Sequence, residues 1–326
     1  MFVFIFLLSS AIIQAEAPPY RPDASRCDFA SVEDTWHDGD RDRDVPAKIY
    51  YPVDTKGLLP VIIFSHGLGG SCEGYGYLGE YWAAHGYVAV HLTHAGSDTA
   101  AVMENGVDKV KETAAAIAAK PKNAVDRCKD VSFAIDQLKD QVNSDKESPL
   151  AGRLDMDRIA VAGHSFGANT AMLIAGEMTR SGKTVFADKR VKCALAMSPP
   201  IATPERMWDK AYSTVKIPLF VMTGTLDDSP IGQSKAADRR VPFDHVKDIP
   251  AYLLTFTGGD HMLFSGREAG ARPGTDERYH RLILLGSTVF FDAYLRGDES
   301  AKKWLSGGDY KTLVGDAGKF EERKPD

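Results

Sequence analysis

The chain has 326 residues, of which 44% are hydrophobic, 26% charged and 10% aromatic, a globular composition that excludes a disordered or fibrous protein. Its 39 Lys and Arg against 45 Asp and Glu leave a formal charge of −6, and no window is strongly basic. Nucleic acid and anionic membrane surfaces are therefore set aside as partners.

The one long apolar run comes first: Phe2 through Ile13 is broken only by Ser9 and Ser10, and the segment ends at the small residue Ala15, ahead of Pro18 and Pro19. A run of 12 residues is too short to cross a bilayer, so 1–15 is expected to be a cleavable secretory signal that leaves no stable membrane insertion. Its lack of Lys or Arg leaves a buried N-terminal strand or helix as the alternative. Export permits up to two disulfides among Cys27, Cys72, Cys128 and Cys193, in three possible full pairings. None of the four has zinc-site spacing, and Cys193, inside an apolar run, reads as a buried free thiol. No metal and no cofactor is expected.

Beyond the leader, 16–46 is expected to supply early strands. Short β-branched runs at 47–51, 61–65, 87–92, 158–162, 191–197, 217–223 and 251–257 then alternate with helix-period segments near 77–84, 124–141, 167–178 and 276–295. Near-continuous apolar strands alternating with helices predict an α/β fold, a mostly parallel central sheet with helices on both faces. The domain is expected to span 47–305, with 306–326 as a C-terminal tail. Ligands of such sheets bind at the carboxyl ends of the strands, so the residues that follow each strand matter most.

The strand at 61–65 runs into Ser65-His66-Gly67-Leu68-Gly69-Gly70, a turn able to aim backbone N–H groups at a developing oxyanion. The strand at 158–162 runs into Gly163-His164-Ser165-Phe166-Gly167 and then helix, which is G-x-S-x-G in the strand-turn-helix setting of a nucleophile elbow. A serine on so sharp a turn needs glycines two positions before and after it, because side chains there would collide with the turn or the next strand. The N–H groups of Leu68 and Phe166 are the candidate oxyanion donors.

The strand at 217–223 ends in Gly224-Thr225-Leu226-Asp227-Asp228, and that at 251–257 in Gly258-Gly259-Asp260-His261. An acid and then a histidine complete the chain order Ser, Asp, His of α/β-hydrolases. Serine is a poor nucleophile at neutral pH. His261 would take the Ser165 proton and return it to the leaving group, while the acid holds the ring in one tautomer. Asp227, three residues after the turn glycine, is the first candidate and Asp228 the alternative, the other capping the following turn. Of the remaining histidines, His66 and His164 read as packing or hydrogen-bonding residues and His85 as a helix-end partner of carbonyls. His91 and His94 read as structural or pocket-lining, and His37, His245 and His280 as surface residues.

These pieces as an ordered set, together with Trp82-Ala83-Ala84-His85-Gly86-Tyr87-Val88, Arg127-Cys128-Lys129-Asp130-Val131 and Asp260-His261-Met262-Leu263-Phe264, resemble platelet-activating-factor acetylhydrolases. The resemblance extends from about 47 to 305 and takes in their bacterial relatives labelled predicted dienelactone hydrolases. It implies an α/β-hydrolase serine esterase in which Ser165, Asp227 and His261 match the triad. Dienelactone hydrolases use a cysteine where this elbow has Ser165, so that label's substrate does not transfer.

The expectation is a secreted serine hydrolase of small-molecule carboxylic esters, short-chain acyl esters first. The rivals are a peptidase or amidase on the same fold and a non-catalytic binding protein that kept it. Only about twenty residues separate the strands at 191–197 and 217–223, too few for a large cap domain, so the site should be open. The Ala-rich stretch 113–120 reads as a helix able to wall the pocket. Sequence does not set the oligomeric state.

Overall fold

The computed structural model describes residues 20–23, 26–232, 234–266 and 275–325. The expected leader at 1–15 lies outside them.

In chain order the elements are β1 Phe29–Asp38, β2 Arg43–Pro52, β3 Leu59–Ser65, α1 Gly76–Ala84, β4 Val88–Leu92, α2 Thr99–Met103, α3 Val110–Ala119 and α4 Pro121–Gln137. There follow β5 Leu154–His164, α5 Phe166–Ile174, β6 Val191–Met197, α6 Trp208–Tyr212, β7 Leu219–Leu226 and α7 Val241–His245. The chain closes with β8 Ala251–Asp260, α8 Thr275–Tyr294, α9 Glu299–Ser306, α10 Asp309–Val314 and β9 Gly318–Arg323. Local chemistry fixes several ends: Pro121 opens α4 where its missing N–H costs nothing, and the Asp298 carboxylate caps the first turn of α9.

The strands form one sheet in the order β1-β2-β4-β3-β5-β6-β7-β8-β9. The six strands from β4 to β8 run parallel, while β1, β2 and β9 pair antiparallel at the two edges. This is the α/β class, mostly parallel, consistent with an α/β-hydrolase fold. Along β3, Val61 and Ile63 join one hydrophobic cluster and Ile62 and Phe64 the other, which is the period of two expected of a strand buried on both faces. On the first face Val131 and Ile135 of α4 pack with Met172 and Ile174 of α5. On the second, Trp82 of α1 packs with Ile283, Phe290 and Phe291 of α8.

One expectation is corrected. The segment 306–326 is no tail, for it holds α10 and then β9, paired with β8 from Ala251↔Arg323 to Phe256↔Gly318. Phe320 draws it in, packing on Phe220, Tyr252 and Tyr310, and the strand closes an edge that β8 would otherwise leave open. The run at 47–51 lies in a longer strand, β2, outside the parallel block and antiparallel to β4. Its antiparallel partner β1 is largely exposed and strongly charged, so it carries no clear apolar alternation.

The connection from β6 to β7 holds one 3₁₀ turn and the short α6, with no folded cap. Among the described residues no helix is long and apolar enough to cross a membrane. All four cysteines are free thiols, with Cys193 and Cys128 in the core.

Candidate active site

β3 lies between β4 and β5, so the chain departs in opposite directions from neighbouring strands, and a crevice opens at their carboxyl ends. Ser165 stands there between β5 and α5 with φ 55° and ψ −118°, a conformation that non-glycine residues rarely adopt. A Cβ on Gly163 would press into the Gly167 carbonyl, and one on Gly167 into the Ser65 carbonyl. The glycine spacing is thus a steric condition of the turn.

His261 follows β8 at the start of a 3₁₀ turn in which the Met262 N–H donates to the Asp260 carboxylate at 3.0 Å. Its Nε2 is 2.8 Å from Ser165 Oγ and its Nδ1 is 2.7 Å from Asp227 Oδ1. Asp227 is wholly buried, and its second oxygen accepts from Ser198 Oγ at 2.5 Å and Thr223 Oγ1 at 2.8 Å. Burial alone would raise the Asp227 carboxyl, but its hydrogen bond to His261 and the Arg239 charge outweigh burial and hold it below the usual range. Asp228 is exposed and accepts from the Ala236 N–H at 2.9 Å and from Lys235 Nζ at 3.2 Å, so it ties down its own loop. The acid that meets His261 is Asp227.

The turn after β3 is held at Gly67, Gly69 and Gly70, whose N–H groups donate to Tyr75 Oη, the Ser97 carbonyl and the Gly67 carbonyl. The Leu68 N–H between them has no acceptor among the described residues. Phe166 is the first residue of α5, where an N–H has no partner within its helix. Leu68, Phe166, Ser165 and His261 all line one cavity of about 1320 Å³. Val110, Ala114 and Ala118 of α3 form one wall, the role open to the Ala-rich stretch.

Three supports were not legible in the sequence. Arg239, 1% exposed, donates from Nε to the Asp227 carbonyl at 3.1 Å and from Nη1 to the Ser198 carbonyl at 2.9 Å, which places its charge beside Asp227. Ser198 directly follows β6 at φ 52°, a second strained residue, and hydrogen-bonds the Asp227 carboxylate. The third is a relay whose direction chemistry decides. His164 Nε2 lies 2.9 Å from the His261 carbonyl, which can only accept, so Nε2 carries the proton. Burial and the neighbouring His261 push His164 well below its ordinary pKa, so the ring is neutral and Nδ1 accepts from Tyr75 Oη at 2.8 Å. Tyr75 in turn accepts the Gly67 N–H at 3.2 Å. The turn bearing Leu68 is thereby tied to the loop bearing His261. Tyr75 itself sits at φ 63°. The only sequence signal was His164 inside the elbow motif.

The other histidines hold structure. Ser65 Oγ lies 2.8 Å from His94 Nε2, and His94 Nδ1 lies 2.9 Å from Asp130 Oδ2, all three side chains buried. His66 Nε2 accepts the His94 N–H at 3.1 Å, and its Nδ1 meets the Gly67 carbonyl at 2.6 Å. His91 packs on Phe64, and His85 meets the Tyr81 carbonyl at the end of α1. His37 is exposed and His245 half-buried. His280, expected at the surface, is half-buried on Tyr77 with Nε2 2.8 Å from the Leu263 carbonyl. Among the described residues no three His, Cys, Asp or Glu side chains converge as a metal site would require.

A family model described as platelet-activating factor acetylhydrolase, isoform II, matches residues 41–129 and 119–226, a stretch that includes Ser165 and stops short of Asp227 and His261. The platelet-activating factor acetylhydrolase of Cavia porcellus is 24% identical over 319 residues, covering 83% of this chain and 66% of its own. That of Canis lupus familiaris is 25% identical over 245 residues, 68% of this chain and 51% of its own. For the Bos taurus protein the figures are 27% over 200 residues, 49% and 39%. The chain thus spans less than two thirds of the length of these relatives. Since the matched stretch from 41 to 226 covers more than half of the 326 residues, the chain belongs to the platelet-activating factor acetylhydrolase, isoform II, family.

Proposed function

We propose that the protein is a serine hydrolase of carboxylic esters that works through an acyl-enzyme. The carrying observation is the hydrogen-bonded series Ser165, His261, Asp227 opening on the cavity that Leu68 and Phe166 line, whose N–H groups have no acceptor among the described residues. Ser165 Oγ attacks the ester carbonyl as His261 Nε2 takes its proton, and the tetrahedral oxyanion receives the two N–H groups. The proton then passes from His261 to the departing alcohol. Water repeats the sequence on the acyl-enzyme, with His261 again as base. Asp227 keeps Nδ1 protonated and, with its own charge held by Ser198, Thr223 and Arg239, stabilises the imidazolium.

The relatives are named as acetylhydrolases of platelet-activating factor, which supports a short acyl group here. A cavity of about 1320 Å³ is larger than a short-chain ester needs, so the bulk belongs to the alcohol half. The same reading takes 1–15 as a cleaved leader, exports the mature chain, and assigns the chemistry to 47–305.

The test is labelling of purified protein by a fluorophosphonate, with the modified peptide identified by mass and p-nitrophenyl acyl esters of graded length run alongside. One label per chain on Ser165, with turnover falling as the acyl chain lengthens, is the expected result. A folded sample that takes no label and turns over no ester would leave a binding protein on a hydrolase scaffold.

A further inference from the structure

Helix α5 begins beside the nucleophile, and residues four apart on a helix share one face. Ser165, Asn169 and Leu173 fall on that face, and all three line the cavity. Asn169 is 7% exposed. Its side-chain amide makes no hydrogen bond among the described residues, yet neither its oxygen nor its nitrogen is sealed from the cavity. An amide has two N–H donors and an acceptor oxygen to satisfy. A purely alkyl chain filling this wall would shut the group away from solvent unpaired, which is costly, whereas an oxygen in the chain would meet it.

Resting on the esterase reading above, we propose that Asn169 is a substrate-recognition residue for esters carrying an ether, carbonyl or hydroxyl oxygen about one helical turn from the scissile carbonyl. One turn is about 5.4 Å along the axis, the reach of three to four bonds from the carbonyl carbon. Leu173, a further turn along, supplies the apolar surface for the rest of the chain. A site that hydrogen-bonds one group of its substrate discriminates against the analogue that lacks it, because the protein group is then left unpaired.

Two matched pairs test this: p-nitrophenyl 3-methoxypropanoate against p-nitrophenyl pentanoate on the acyl side, and 2-methoxyethyl acetate against butyl acetate on the alcohol side. Each pair exchanges one CH₂ for an oxygen, and rates are divided by those of alkaline hydrolysis to remove intrinsic reactivity. The wild-type protein is expected to prefer the oxygen-bearing ester in at least one pair by roughly three- to tenfold in kcat/KM. In Asn169→Leu that ratio should fall to one or below, and in Asn169→Ala it should shrink. Because the readout is a ratio within one preparation, a poorly folding variant does not mimic the result, and the wild-type ratio stands without any variant. Equal treatment of both esters in both pairs, or a preference that survives Asn169→Leu, overturns the proposal. A wild-type protein that hydrolyses none of the four esters overturns the esterase reading and this proposal with it.

Discussion

Ser165–His261–Asp227 and Ser65–His94–Asp130 are hydrogen-bonded alike, at 2.8 and 2.7 Å in the first and 2.8 and 2.9 Å in the second. In both, the histidine turns Nδ1 to the carboxylate and Nε2 to the serine. They differ in everything around those bonds. Ser165 sits on a strained turn at the wall of the cavity that Leu68 and Phe166 also line, while Ser65 ends a core strand and is wholly buried. Burial and the Arg127 charge push His94 down to about 4. Burial would raise Asp130, but its bonds with His94 and Arg43 prevail and hold it well below the usual carboxylate range. A Ser–His–Asp chain thus becomes a nucleophile candidate only where an ester can reach it and an oxyanion can be received. The buried one braces the turn that carries Leu68.

The widest separation between the two should come from the serines. Ser165→Ala is expected to lower turnover at least about a thousandfold with the fold retained, as when one member of a catalytic unit is removed. Ser65→Ala should still take the fluorophosphonate label at Ser165 and instead lose about 1 to 3 kcal/mol of stability, because His94 Nε2 is left buried without its donor. Urea titrations beside active-site labelling of both variants check this. Loss of labelling in Ser65→Ala with the fold intact would erase the distinction.

Acid provides the next contrast. His91 and His94 are each held near 4 by burial, against an ordinary value of 6.5. The unfolded chain takes up these protons below about pH 6.5 and the folded chain refuses them until about 4, so stability present above 6.5 is lost as pH falls through that window. At pH 5 the two together cost about 4 kcal/mol, and His66 and His164, also depressed by burial, add to the loss. Glu177 works the other way. Burial raises it to about 7, so its folded form gains a proton first and returns about 2 kcal/mol over the same range. Denaturant midpoints at pH 7 and pH 5 should therefore fall with acid, and Glu177→Gln should steepen the fall. A flat profile would mean that these histidines titrate as exposed groups do.

What the sequence disclosed follows the same division. Gly163, Ser165 and Gly167 were legible because a local backbone collision dictates their spacing. The order of Ser165, Asp227 and His261 was legible because each follows a parallel strand, and strand ends converge. Asp227 was only ranked ahead of Asp228 by its spacing from the turn glycine, since the choice itself rests on Ser198, delivered by β6, and on Arg239. Ser65, His94 and Asp130 were each in view, but they join only when β3, β4 and α4 pack together. Strand β9 escaped notice because one inward Phe320 among charged neighbours carries too little pattern.

The smallest effect concerns how the two sets of groups communicate. Tyr75 and His164 link the Gly67 N–H to the His261 carbonyl, so both the turn bearing Leu68 and the loop bearing His261 lean on one hydroxyl. Tyr75→Phe keeps the ring that packs on Phe64 but leaves the Gly67 N–H and His164 Nδ1 without a partner. Two hydrogen bonds are lost, so the denaturation midpoint should fall as in Ser65→Ala, and kcat should fall as well, roughly fivefold, because in the proposed mechanism the Leu68 N–H is needed only when the oxyanion forms. KM should change little and Ser165 should still be labelled, only more slowly. A purely structural Tyr75 would lower the denaturation midpoint alone, with kcat per labelled site unchanged. A fall in kcat per labelled site at unchanged KM would show that the positioning of the turn bearing Leu68, rather than the Ser165–His261–Asp227 hydrogen bonds alone, sets the rate.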